Sequence, residues 1–200
     1  MRNWLGAAFF RWLQRQRFYA DVHAEAVSAV PSRGLWHDIG CGPGLIPGIA
    51  SERGFAAVGF DMNPASVIMA QKLYPKVHFF NQDLDTLAAA HGEKPDVISI
   101  SSLLFVLPDR VAALNRVWGM LKPGGYLLII ETGSLMNLPN VIKYSIRQGR
   151  FSFGLCLWGI ARSGATVEDE VLRWAKDRKL VEEQKPLGGM LHVWVFRKEV

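Results

Sequence analysis

The stretch Leu35-Trp36-His37-Asp38-Ile39-Gly40-Cys41-Gly42-Pro43-Gly44 passes from an apolar run into three glycines within five residues. Leu35 to Ile39 predicts a β-strand, and the glycines predict a tight loop at its carboxyl end, ahead of a helix. A backbone without Cβ turns sharply and lets a ligand approach closely. The helix start beyond it offers unpaired N–H groups to a carboxylate or hydroxyl. The spacing differs from a dinucleotide fingerprint, which wants glycine at its first, third and sixth positions. Here the sixth position is Leu45 and the extra glycine, Gly44, comes at the fifth. A strand-to-helix turn with no ligand would use the same residues, so the surroundings of the loop decide between the two.

Outward from the loop, short β runs alternate with longer helical patterns, as in a parallel sheet covered by helices on both faces. Pro47 is tolerable in the first turn of a helix that Gly54 stops. Ala56 to Phe60 is the second strand. Asn63 and Pro64 form an N-cap and first-turn pair for a helix to about Leu73, and Val77 to Phe80 is the third strand. Asp96 to Ile100 is the fourth. Pro108 and Asp109 open a helix with Val111, Leu114, Val117 and Leu121 spaced to cover a sheet. Lys122-Pro123-Gly124-Gly125 then turns into the fifth strand, Tyr126 to Ile130. Thr166 with Asp169 resembles a capping box for a helix through Lys179. Val181 to Lys185 and Leu191 to Arg197 read as a hairpin joined at Gly188-Gly189. The expected fold class is therefore α/β, a doubly wound, Rossmann-like, mostly parallel sheet with an antiparallel last strand.

The 200 residues make one domain's worth of chain, and their net charge of +5 is unevenly spread. Residues 1 to 20 carry Arg2, Arg11, Arg15 and Arg17, and residues 132 to 167 carry Lys143, Arg147, Arg150 and Arg162, with no acid in either segment. With those eight of 23 bases set aside, acids outnumber bases elsewhere, so any acidic partner would meet these two segments. They form no dense basic run and no nucleic-acid motif, so a nucleic-acid partner is not expected. Two cysteines, Cys41 and Cys156, show neither disulfide nor metal spacing, which suits a reducing cytoplasm. No cleavable signal and no transmembrane-length apolar run is expected.

Acids close successive strands. Asp38 ends the first, Asp61 closes Val58-Gly59-Phe60-Asp61 about 20 residues on, and Asp83 follows the third in Asn81-Gln82-Asp83. At the carboxyl edge of an open α/β sheet, an acid at Asp61 can accept both hydroxyls of a ribose, although a helix cap would also use it. This set, with the Ser101 to Asp109 run and Leu121-Lys122-Pro123-Gly124-Gly125, resembles the class I S-adenosylmethionine (SAM) dependent methyltransferases. The likeness is to their small-molecule, type 11-like branch. It covers residues 34 to 131 well and extends to the C-terminal helix and hairpin, whereas residues 1 to 30 and 132 to 164 follow no family pattern.

The resemblance implies a SAM-binding methyltransferase domain over residues 31–200, yielding S-adenosylhomocysteine (SAH). Asp38 and the loop Gly40, Cys41, Gly42 and Gly44 would hold the methionine portion, Asp61 the ribose, and Asp83 with Leu84 the adenine, with Met62 also among the cofactor-binding residues. Ser101 and Ser102 would line the sulfonium end. The sequence Ser99-Ile100-Ser101-Ser102-Leu103 lacks the Asn/Asp-Pro-Pro-aromatic motif common in enzymes that methylate nucleic-acid bases or glutamine. Its serines stand where metal-dependent catechol-type members carry an acid, so no metal is expected. The expected reaction is methyl transfer to O, N or C of a small hydrophobic or anionic metabolite. The alternative is a catalytically inactive SAM-binding regulatory or interaction module.

Tyr19 and His23, four residues apart, share a helix face, and His23 is the candidate general base if the acceptor must lose a proton. A packed structural histidine is the competing reading. His37 and His78 lie within strands, and His91 and His192 sit in no motif. Residues 1–30 are expected to form an amphipathic helical extension, with Trp4, Leu5, Ala8, Phe9, Trp12 and Leu13 as its apolar stripe. That stripe would pack over the site, bind a partner, or let residues 1–20 lie on an anionic membrane surface. Residues 132–164 hold Phe151, Phe153, Leu155, Leu157, Trp158 and Ile160, and read either as an acceptor lid or as a structural insert. As a lid, their apolar groups would suit a hydrophobic acceptor and their arginines an anionic group.

Overall fold

Strands buried on both faces need near-continuous apolar sequence. Leu35–Ile39 (β1), Val97–Ser101 (β4) and Tyr126–Thr132 (β5) supply it, and they form the middle of a seven-stranded sheet. Ala56–Asp61 (β2) and His78–Asn81 (β3) extend it on one side, and Leu191–Arg197 (β7) and Lys179–Gln184 (β6) on the other. The order is β3-β2-β1-β4-β5-β7-β6. The first five strands pair in parallel, and β7 runs antiparallel to both β5 and β6. The reversal of strand order between β1 and β4 makes the loops after them diverge and opens a crevice at their carboxyl ends. The computed structural model describes residues 2–31, 33–87, 93–164 and 166–200, with only the backbone of residues 2 and 3. His91 lies outside the described residues.

Side chains alternate across the sheet, so each face gathers its own apolar layer. Trp36, Val97, Leu128, Ile130, Val193 and Val195 face one way. They meet helices Arg2–Gln14 (α1), Arg17–Ser28 (α2), Leu45–Glu52 (α3), Pro64–Leu73 (α4), Leu138–Gln148 (α6) and Phe153–Ala161 (α7) through residues such as Leu13, Val27, Ile46, Ala70, Val141 and Trp158. Ile39, Ile98, Ile100, Leu127, Ile129 and Phe196 face the other way. There they meet Arg110–Met120 (α5) and Glu168–Trp174 (α8) through Leu114, Val117, Val171 and Trp174. Among the described residues no helix is long and apolar enough to cross a membrane.

Three local expectations change. The C-terminal helix stops at Trp174 instead of Lys179, because Trp174 packs edge-on against Phe196 and Trp118 and the Arg178 guanidinium lies 4.0 Å over its ring. The chain then turns in time for Lys179 to pair with Arg197. Thr166 accepts from Glu168 N–H at 3.3 Å, one residue short of the Asp169 position that a capping box uses. The third change concerns α1. Ala7, Leu13 and Gln14 form its buried side, while Trp4, Leu5, Ala8 and Trp12, four of the six residues of the expected stripe, are exposed. The helix carries apolar residues all round, so periodicity alone did not select the face that packs.

Candidate active site

The loop after β1 takes its shape from its glycines. Gly40, Gly42 and Gly44 have φ of +72°, +52° and +89°, a region L side chains avoid. At Gly44 a Cβ would also lie 2.9 Å from the Phe79 ring and 3.0 Å from Ala70, so this glycine packs the loop onto its neighbours while starting α3. The Asp61 carboxylate pins the loop to β2 by accepting Gly42 N–H and Asn63 N–H, each at 2.8 Å. Burial pushes the Asp61 pKa above the ordinary carboxylate range.

Asp38 stands beside Ser99 across the β1–β4 pair. Trp36 Nε1–H donates to Ser99 Oγ at 2.7 Å, and Ser99 Oγ donates to Asp38 Oδ1 at 2.5 Å, so one carboxylate oxygen is held in place. Burial pushes the Asp38 pKa up to about 8, Ser99 opposing and Asp61 adding to the shift. Asp83 is solvent-exposed at the rim, where its Oδ1 accepts from Thr86 N–H and Oγ1–H and thereby orders the turn after β3.

After β4 the backbone is strained. Ser102 has φ of +53°, rare for a residue with a side chain, and this leads into a 3-10 turn at Leu104–Val106. Buried Glu131, near the end of β5, anchors that turn by accepting Leu104 N–H at 2.7 Å, and burial raises its pKa to about 7. Above the serines, α2 presents Tyr19 and His23 with their rings stacked 4.1 Å apart. His23 Nδ1 lies 2.8 Å from the Tyr19 carbonyl, which only accepts, so the proton sits on Nδ1 and Nε2 is bare. Nε2 therefore accepts from Ser101 Oγ–H, at 3.0 Å. Burial drives the His23 pKa down to about 4 and the Tyr19 pKa up to about 12, the latter against the Ser101 and Ser102 hydroxyls beside its phenol.

These groups share one cavity of about 620 Å³, within the usual range for a small-molecule site. Of the residues singled out in the sequence, Asp38, Gly40, Cys41, Gly42, Asp61, Met62, Asp83 and Leu84 line it. So do Ser101, Ser102, Tyr19 and His23. Gly44 does not; its place is behind the loop. The N-terminal segment contributes more wall than the insertion does. Gly6, Ala7, Phe10 and Gln14 of α1 line the cavity, whereas residues 132–164 contribute Arg162 and none of the aromatic or aliphatic residues expected of a lid.

Gln14 was not singled out in the sequence. It is buried, it lines the cavity, its Nε2 lies 3.7 Å from where a Gly42 Cβ would be, and its Oε1 has no partner among the described residues. A polar residue inside an apolar helix was the available signal. Ser99 and Glu131, polar residues inside the apolar runs VISIS and YLLIIET, carried the same one.

Residues 37–129, which run from β1 to β5 and include the glycine loop, match the family model described as a methyltransferase domain, type 11. That stretch is thus similar to the methyltransferase domain of the class I SAM-dependent methyltransferases. The chain is 30% identical over 132 residues to a trans-aconitate 2-methyltransferase of Methylobacterium radiotolerans, covering 64% of this chain and 49% of that protein. It is 27% identical over 129 residues to a ubiquinone biosynthesis O-methyltransferase of Pseudomonas entomophila, covering 58% and 55%. The chain thus spans about half the length of these curated relatives. Its fold is also that of the magnesium protoporphyrin IX methyltransferase from Synechocystis PCC 6803, solved with bound SAH. That match has a TM-score of 0.73 at 14% identity and covers 98% of this chain and 95% of the other.

Proposed function

We propose that this chain transfers a methyl group from SAM to a small-molecule acceptor. One observation carries the reading: a single cavity joins the glycine-loop and acidic end to the Tyr19, His23 and serine end. The donor end suits an adenosyl sulfonium. A fixed carboxyl at Asp38 and an orphaned carbonyl oxygen at Gln14 answer a ligand ammonium, and Asp61 keeps lone pairs for ribose hydroxyls. Asp38, Gly40, Cys41, Gly42 and Gln14 would hold the methionine portion, Asp61 and Met62 the ribose, and Asp83 and Leu84 the adenine. Gly44 would act by shaping the loop.

Bound SAM supplies a methyl already activated by its sulfonium charge. The protein's work is then to align the acceptor and exclude water. Ser101 and Ser102 form the floor at the reacting end, α1 covers the top through Gly6, Ala7 and Phe10, and Tyr19 forms a wall. His23 holds Ser101 from behind with both ring nitrogens engaged, so we assign it as a positioning residue in preference to a base. Free, buried Cys41 and Cys156 support a reducing, cytoplasmic setting.

The test is calorimetric titration with SAM and SAH, followed by SAH release in the presence of a pooled small-molecule extract. Tight binding with turnover supports the proposal. Binding without turnover would leave an inactive SAM-binding module, and no binding would end both readings. The outer face of α1 favours an additional contact. Trp4, Leu5 and Trp12 are exposed in an acid-free segment with Arg15, a composition suited to an anionic membrane surface, and co-sedimentation with anionic but not neutral vesicles would show it.

A further inference from the structure

Arg162 ends α7 with its side chain turned into the protein. It is 7% exposed, it lines the cavity, and its guanidinium lies 4.4 Å over the Phe105 ring. Among the described residues it makes no side-chain hydrogen bond and no ion pair within 4 Å. Glu131 acts on it at longer range, but the Glu131 carboxylate is taken by the backbone N–H groups of Leu103 and Leu104. The Tyr19 phenol, between Ser101, Ser102 and Arg162, also feels its charge, which puts the guanidinium at the reacting end of the cavity. A buried cation with five donors and no anion in contact is costly, and a planar fork is the shape that grips a carboxylate.

The other groups at this end point the same way. An acceptor hydroxyl or ammonium would have to lose a proton, and the groups here receive one poorly. His23 is driven down to about 4 with its bare nitrogen spent on Ser101, and Tyr19, at about 12, keeps its own proton. Glu131 is bound to backbone and does not line the cavity. A carboxylate needs no base.

Resting on the methyltransferase reading, we propose that the acceptor is a carboxylic acid, gripped as its carboxylate by Arg162 and methylated on its own oxygen. In that step the bond from sulfonium sulfur to methyl breaks and a bond from carboxylate oxygen to methyl forms. One positive and one negative charge cancel, giving SAH and a neutral methyl ester, and no proton is released. The cavity wall near the serines is apolar at Leu103, Val106 and Leu107, so the acid carries an apolar body.

The experiment uses the full chain, methyl-labelled SAM, a small-molecule extract and a panel of apolar mono- and dicarboxylic acids. Products are treated with mild alkali, which releases methyl esters as volatile labelled methanol and leaves N-, C- and ether-methyl groups in place. The expected result is volatile label. Arg162→Ala should reduce it roughly 30-fold or more, because the acceptor charge then enters the cavity unpaired. SAM affinity by calorimetry should stay within about threefold, as for a site distant from the change. Arg162→Lys keeps the charge without the fork, should lose roughly tenfold, and carries the test if the alanine variant misfolds. Alkali-stable label would overturn the carboxylate acceptor and leave the methyltransferase reading intact. Volatile label unaffected by either substitution would overturn the role of Arg162. No label, with SAM still bound, would remove the methyltransferase reading and this inference with it.

Discussion

The two ends of the cavity are built from different kinds of sequence. The end proposed to hold the donor comes from short motifs at consecutive strand termini, Asp38 to Gly44, Asp61 and Asp83, held by backbone geometry and by hydrogen bonds to adjoining strands and turns. The end proposed for the acceptor is assembled from distant parts: α1 and α2 supply Phe10, Tyr19 and His23, β4 supplies Ser101, and Arg162 arrives from the far end of the acid-free insertion. If the first end holds SAM and the second the acceptor, as proposed, damage at the two ends should separate into lost SAM binding and lost turnover.

The sharpest way to break the donor end is Gly44→Val. A side chain there meets Phe79 and Ala70 at φ +89°, and overpacking with backbone strain is expected to cost roughly 3 kcal/mol. Thermal melting should fall by about 5–10 °C, and calorimetry should find SAM binding largely gone. A variant that melts and binds normally would show that the loop tolerates a side chain. Asp61→Asn removes the charge that holds Gly42 and Asn63 while keeping the shape, and should weaken SAM about 10- to 100-fold with little change in melting.

A pH series probes Asp38 in the ligand-free protein. Its folded pKa of about 8 lies above the unfolded value, so its stabilising effect is complete at low pH and lost as pH rises through 8. Glu131, at about 7, acts in the same direction, whereas depressed His23 opposes them weakly, because its unfolded form is about half protonated at pH 6.5 and loses that proton by pH 8.5. Denaturant unfolding should therefore lose roughly 2 kcal/mol between pH 6.5 and 8.5, and Asp38→Asn should flatten most of that slope. The smallest effect belongs to the acceptor end. His23→Ala should lower turnover about tenfold with SAM affinity nearly unchanged, and without shifting the pH–rate profile. A lost limb in that profile would make His23 a base after all.

Much of this was legible before folding was considered. Strand-closing acids, a glycine loop with the wrong spacing for a dinucleotide, and the alternation of β runs with helices are local signals, and a parallel sheet turns sequence order into positions along one edge. Other features were not legible. Helix α1 carries apolar residues on every side, so four residues of the expected stripe, Trp4, Leu5, Ala8 and Trp12, face outward while Gly6, Ala7, Phe10 and Gln14 close the cavity. Small residues at Gly6 and Ala7 fit a helix lying close over a site, a requirement that hydrophobic periodicity does not encode. The insertion read either as a lid or as a structural insert, and its spacing did not show that Leu155 and Trp158 are core while Phe151 and Phe153 face solvent.

The sequence by itself determined the sheet and the motifs at its strand ends, because a repeated strand-helix unit carries each motif to the same edge. Tertiary structure decided which face of α1 covers the crevice, that His23 spends both nitrogens inside the protein, and that Arg162, alone among four basic residues of an acid-free segment, reaches the cavity. Burial and pairing across long stretches of chain set those outcomes, and neither is written in spacing.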